Sequence, residues 1–244
     1  LKALSRTYQI EGHALHSTSS IGIAVFPADG ESVEVLMQNA DAAMYHVKQS
    51  GRDADQFYLK RMNASAVQKL SLESELKRAI ERRELTVAYQ PKLDLRSGRI
   101  VGAEALVRSP ARELAAVGPA QIVALAEEAG MIHELGAFVL RSALTQARAW
   151  QTQGYAVLKM SVNLSPLQFR KGDLVRMVSS TLQDVELDAN CLELEITESA
   201  VMYNETQAIA VMNALSALGV SLAIDDFGVG YSSLGYLARF PIHC

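Results

Sequence analysis

Cysteine is scarce: Cys191 and Cys244 are the only two in 244 residues. A pair excludes a disulfide framework and an all-thiolate metal centre, and suits a reducing, cytoplasmic setting. Excess positive charge is also lacking. With 23 Lys and Arg against 27 Asp and Glu, the net charge is −4. That excludes binding a nucleic-acid polymer through a bulk basic face. No apolar run approaches the roughly 20 residues needed to cross a bilayer, and no signal peptide is read. Low-complexity tracts and internal repeats are missing too. What remains, 49% hydrophobic and 20% charged residues, is ordinary globular composition. The length allows one large domain or two smaller ones. The chain starts at Leu1 without an initiator Met and stops at Pro241-Ile242-His243-Cys244. A piece of a longer protein is therefore expected.

Hydrophobic periodicity divides the chain into stretches. Residues 13–17 and 20–26 read as short strands, with Ile21, Ile23 and Val25 alternating with small residues. Val33, Leu36, Met37, Ala40, Ala43, Met44 and Val47 recur at helical spacing, and a short strand at 56–58 follows. Four elements make a thin core, so residues 1–59 are expected to complete a larger domain. Residues 60–84, with the stripe Leu70, Leu72, Leu76 and Ile80, read as a connecting helix. From residue 85 to 244 the pattern becomes α/β. Two strand-like runs, 85–95 and 99–107, are joined by Arg96-Ser97-Gly98, too short for a crossover, so they pair antiparallel. Helices near 119–129, 134–153, 173–183 and 204–218 then alternate with strands near 157–164, 191–197 and 220–226. This alternation predicts a largely parallel sheet.

Four of these strands carry oxygen-bearing side chains toward their C-terminal ends: Glu104, Asn163, Glu195 and the pair Asp225-Asp226. Residues two apart in a strand share a face. Val162, Leu194, Ile196, Leu222 and Ile224 would face covering helices, while Asn163, Glu195 and Asp225 face the other way. If the sheet closes into a barrel, the oxygen ligands converge at its C-terminal mouth. Carboxylates and an amide oxygen suit Mg²⁺ or Mn²⁺. A pair of such ions about 3.5–4 Å apart is the usual apparatus for hydrolysing a phosphodiester.

The chain here resembles the EAL domain family, which hydrolyses cyclic di-GMP. The resemblance runs from about residue 69 to the end. It rests on Tyr89-Gln90-Pro91, Glu104-Ala105-Leu106-Val107-Arg108, Ala126-Glu127-Glu128-Ala129-Gly130, Ser161-Val162-Asn163-Leu164-Ser165, Glu195-Ile196-Thr197-Glu198-Ser199 and Asp225-Asp226-Phe227-Gly228-Val229-Gly230, in that order. Residues 18–58 similarly resemble the end of a GGDEF, diguanylate cyclase-like domain. The marks are Ser20-Ile21-Gly22-Ile23-Ala24, the helix around Ala40–Tyr45, and Lys48 with Arg52. The GGDEF loop itself is not in this chain. The implied fold is an incomplete TIM-type (β/α) barrel preceded by an α+β GGDEF-like fragment.

The resemblance implies a metal-dependent phosphodiesterase opening cyclic di-GMP to linear pGpG. Glu104, Asn163, Glu195 and Asp225 would hold metal, and Asp226 would serve a second metal or its water. Glu198 would order the following loop, with Gly228 and Gly230 as a mobile gate. Gln90, Leu106 and Arg108 would line the substrate site, Arg108 on a phosphate. A homodimer through this domain is implied as well. The family usually carries Trp after the Arg of its EAL motif, then a His-Pro pair and a Gly. This chain has Ser109-Pro110-Ala111-Arg112, with Ala115 at the Gly position. The family's later Lys, Glu and Gln have no counterpart before Cys244. The intact ligand set favours an enzyme. The altered loop favours the alternative, an inactive cyclic di-GMP sensor or scaffold.

Overall fold

The computed structural model describes residues 4, 7–10, 13–15, 18–49, 53–155, 158–170, 173–202, 205–226 and 240–242. The chain divides into two compact units, Leu1–Ser71 and Leu72–Cys244.

In the first unit β1 (Tyr8–Ile10) and β2 (His13–Leu15) form an antiparallel hairpin. Strand β3 (Ile21–Ile23) pairs in parallel with β4 (Asp55–Phe57), and α1 (Val33–Gln49) connects them. Ala43 on α1 packs with Tyr58 and Met62 in a small core. Strand β1 has no counterpart in the sequence expectations. Gly51 and Arg52 lie outside the described residues. Helix α2 (Lys60–Glu81) gives Met62 to this core and Leu72, Leu76 and Ala79 to the core of the second unit.

The second unit is built on one sheet in the order β5-β6-β7-β8-β9. Strands β5 (Thr86–Leu93) and β6 (Ile100–Arg108) are antiparallel. Strands β7 (Lys159–Leu164), β8 (Leu192–Thr197) and β9 (Ser221–Asp225) then add in parallel. The connections carry α3 (Arg112–Ala115), α4 (Pro119–Glu128), α5 (Ile132–Thr152), α6 (Pro166–Arg170), α7 (Leu174–Val185), α8 (Glu198–Met202) and α9 (Glu205–Ala217). This is the parallel α/β pattern expected of a TIM-type barrel, with five strands in this sheet among the described residues. The short helices α3, α6 and α8 likewise lie outside the sequence expectations. Each is about one turn long, too short to show a helical period. Among the described residues no helix is long and apolar enough to cross a membrane.

The alternation of the strands decides which face is covered. Ala103, Ala105, Met160, Val162, Leu164, Leu192, Leu194, Ile196 and Leu222 are all buried in one apolar cluster. Leu140, Ala143, Leu144 and Ala147 of α5, Val178 and Leu182 of α7, and Met212 and Leu215 of α9 complete it. Tyr89 extends this outer face onto α5, where its ring meets that of Trp150 edge-on at 5.2 Å. Each such large side chain contributes about 1.5–3 kcal/mol on burial.

The β5–β6 turn is held by Asp94, whose Oδ1 accepts hydrogen bonds from the Ser97 and Arg96 N–H groups, both at 2.8 Å. Those N–H donors hold its carboxyl below the usual carboxylate range. The folded turn therefore favours the ionised form. Its contribution is complete above the unfolded carboxyl's pKa and fades as pH falls through the lowered one. Asp94→Ala is expected to speed amide hydrogen exchange at Arg96 and Ser97 at neutral pH and to leave β7–β9 protected. Unchanged exchange at those two amides would contradict this account of the turn.

Gly136 on α5 faces Gln168 of α6, and a Cβ placed there would stand 1.8 Å from Gln168 Nε2. Gln168 is buried and cannot swing aside without losing the bond its Oε1 accepts from Ser165 N–H. Gly136→Ala is expected to destabilise the fold by about 1–3 kcal/mol, the usual scale of overpacking. Scanning calorimetry checks this through a fall in Tm of several degrees.

Candidate functional site

Opposite the covered face, the sheet presents a second set of side chains, and the register shows how they line up. Gln90 stands directly across from Glu104, and Glu104 is level with Ser161. Asn163, two residues further along β7, is level with Glu195. Glu195 is level with Ala223, and Asp225 lies two residues beyond it. The row Glu104, Asn163, Glu195, Asp225 thus climbs toward the strand ends at two of its three joins. A tilted, barrel-type sheet imposes this stagger. Because of it, residues at unequal heights in the hydrogen-bond register stand along one rim.

Within the row, Asn163 Nδ2 donates to Glu104 Oε1 at 2.7 Å. An amide that donates with its nitrogen still has its oxygen as an acceptor. Glu195 Oε1 accepts from the Lys92 ammonium. Asp225 and Asp226 are exposed at the end of β9, and Asp225 Oδ1 accepts the Asp226 backbone N–H at 2.9 Å. Asp226 has φ of 54°, the left-handed region that Asp enters more readily than most residues. Such backbone outliers gather at functional sites.

Asn163, Asp225, Asp226, Leu106, Thr197 and Glu127 help line a cavity of about 380 Å³. That volume falls in the range of small-molecule sites. Gln90, Glu104, Arg108 and Glu195 lie outside its lining. Arg108 is exposed at the end of β6, its Nη1 donating to the Val107 carbonyl at 2.9 Å. Glu198, the first residue of α8, is buried. The loop with Gly228 and Gly230 lies outside the described residues.

The donor set consists of oxygen atoms alone, which fits a hard divalent cation such as Mg²⁺ or Mn²⁺. Among the described residues, however, no three His, Cys, Asp or Glu side chains stand close enough together to hold one. Asn163 occupies one oxygen of Glu104, and Lys92 one oxygen of Glu195.

One layer deeper lies a polar group of Lys92, Ser161 and Glu193, of which Lys92 and Glu193 fall outside the sequence motifs. Lys92 Nζ also reaches Ser161 Oγ at 2.5 Å and Glu193 Oε1 at 3.1 Å, and Ser161 Oγ donates to Glu193 Oε1 at 2.8 Å. Burial works to lower the Lys92 pKa, but bonds and charge from Glu195 and Glu193 outweigh it and hold the ammonium above its usual range. Burial pushes Glu193 up, and the Ser161 hydroxyl and Lys92 outweigh it and hold the carboxyl below its usual range. The strand period carries the signal for this layer, because each member stands two residues from a motif residue on the same face. Gln90 leads forward to Lys92, while Asn163 leads back to Ser161 and Glu195 back to Glu193. A further brace follows β7. Ser165 Oγ donates to Glu127 Oε1 at 2.6 Å and accepts Leu167 N–H at 3.1 Å, fixing the turn that follows Asn163.

Comparison with known proteins gives the family. The chain is 43% identical over 241 residues to the bifunctional diguanylate cyclase/cyclic di-GMP phosphodiesterase MucR of Pseudomonas aeruginosa, covering 99% of this chain and 35% of that protein. It is 39% identical over 242 residues to the cyclic di-GMP phosphodiesterase NbdA of the same organism, covering 99% and 31%. It therefore spans about a third of the length of these relatives. A solved structure of the PaMucR phosphodiesterase in complex with c-di-GMP superposes with a TM-score of 0.66 at 42% identity, covering 70% of each chain. Residues 1–54 match the diguanylate cyclase GGDEF domain. With residues 73–243 matching the EAL domain, the chain belongs to the EAL domain family and carries a GGDEF fragment ahead of it.

Proposed function

We propose that the protein is a cyclic di-GMP phosphodiesterase, opening the cyclic dinucleotide at one phosphodiester to give linear pGpG. The observation that carries this reading is the staggered row Glu104, Asn163, Glu195 and Asp225 beside the cavity that Asp225, Asp226 and Leu106 help line. The two relatives bear the same activity in their names. Glu104, Asn163, Glu195 and Asp225 would hold Mg²⁺ or Mn²⁺, with Asp226 toward a second ion. Bound there, the ions would supply charge stabilisation at the phosphoryl oxygens and an acidified water. The other roles belong to the chain itself. Arg108 would turn from the Val107 carbonyl to a substrate phosphate, a charge-assisted contact. Gln90 and Leu106 would border the dinucleotide. Glu198, buried at the end of β8, would support the segment after Asp226. Residues 60–84 would serve as the connector between the two domains, and an EAL-to-EAL homodimer in the cytoplasm is the assembly this reading favours.

One feature favours a second reading. Ser109-Pro110-Ala111-Arg112 replaces the family's usual segment next to Arg108, which suits a domain that binds the nucleotide without cleaving it. The full-length protein decides between the two. Incubated with cyclic di-GMP and saturating Mn²⁺, it is expected to release linear pGpG, resolved by chromatography, and to stop when EDTA is added. Binding without cleavage would establish the sensor reading instead. Glu104→Ala is expected to lower kcat/KM by at least about 100-fold, the scale reached when even an outer partner of a metal site is lost. Wild-type turnover in that variant would remove Glu104 from the ligand set.

A further inference from the structure

We propose that Lys92 is a positioning residue that sets the Glu195 carboxylate from beneath; this deepens the reading of Glu195 as a metal ligand and rests on it. The geometry is specific. Lys92 sits on β5, two strands away from β7 and three from β8. Its cross-strand partner on β6 is Gly102, which presents no side chain, and Gly102 is in turn level with Lys159. A Cβ on Gly102 would stand 2.5 Å from the Lys159 carbonyl oxygen, so the backbones leave room for glycine alone. The lysine side chain spans β6 at this bare position and ends among Ser161, Glu193 and Glu195.

An ammonium has three N–H donors. Here each has an acceptor, and the acceptors come from two strands. That fixes the ammonium more tightly than a single surface ion pair would. Glu193 and Glu195 share one face of β8 two residues apart, so their charges repel along the strand. Lys92 lies against both. It binds Glu195 through Oε1, and a carboxylate held by one oxygen keeps the other for a cation. The Ser161 hydroxyl, donating to Glu193 Oε1, orients Glu193 and leaves the lysine to bridge the two acids. Partners of this kind commonly set the orientation of a metal's ligands and tune their affinity.

The test uses the full-length protein and measures Mn²⁺ affinity by isothermal titration without nucleotide, for the wild type, Lys92→Met, Glu195→Gln and the double variant. Lys92→Met is expected to weaken Mn²⁺ binding by about 10–100-fold. Glu195→Gln should weaken it as well, and the double variant should bind no worse than Glu195→Gln alone, because Lys92 acts through that carboxylate. Unchanged or tighter binding in Lys92→Met, or losses that add in the double variant, would overturn the positioning role. Wild-type affinity in Glu195→Gln would instead overturn the ligand reading itself, so the two failures are distinct. If Lys92→Met does not fold, as judged by its Tm, Lys92→Gln takes its place, polar but uncharged and one bond too short to span β6 to both acids. The same loss is expected from it, and the same outcomes count against the proposal.

Discussion

The strand period of two, locked by the parallel register, is the constraint on which the rest of the second unit depends. One set of side chains on β6 to β9 is aliphatic, and helices α5, α7 and α9 bury it. Burial of that face leaves the alternate set no choice of direction. Glu104, Ser161, Asn163, Glu193, Glu195 and Asp225 must then share the other face, whatever their own preferences for water. A slip of one residue on any strand would exchange the two sets. Slipping β8 alone would drive Glu193 and Glu195 into the apolar cluster and expose Leu192, Leu194 and Ile196. Hydrophobic burial thus supplies the energy, and the polar row takes its alignment from it.

Alignment brings a difficulty of its own. Carboxylates on adjacent strands repel, and the sheet offers them no apolar refuge. Two local arrangements answer this. Asn163 offers its amide N–H to Glu104, and Lys92 spans a glycine to reach Glu193 and Glu195. Both are partial: each occupies one oxygen of a carboxylate while adding little bulk. The row is therefore acidic but not crowded. The brace of Glu127 and Ser165 holds the backbone two residues after Asn163.

Much of this is legible in the sequence, and its limits follow from the same physics. The longer helices and the sheet strands are readable because each contains enough residues to display a period. Helices α3, α6 and α8 do not. Glu104, Asn163, Glu195 and Asp225 stand out as single polar residues among aliphatic ones near strand ends. Glu193 follows the same alternation but lies deeper in its strand, where a carboxylate reads as an ordinary solvent-facing residue. Lys92 is harder still. Its role depends on Gly102 lying opposite and on two further strands beyond, which are contacts between residues far apart in the chain. No local window contains them.

The same distinction explains why the oxygen row and the substrate-side residues are legible to different degrees. The row is set by backbone register, so its members are brought to one rim by the fold alone. Gln90 stands on β5, and Leu106 and Arg108 share β6 with Glu104, yet where their side chains end depends on torsions that the strands do not control. Leu106 reaches the cavity, while Arg108 folds back onto the Val107 carbonyl. A long guanidinium at a strand end, exposed to water, settles on the nearest acceptor. In the role proposed for it, a bound anion stronger than one backbone carbonyl would draw it over the site. The altered segment from Ser109 to Arg112 begins at the next residue, so it bears on that choice and not on the row.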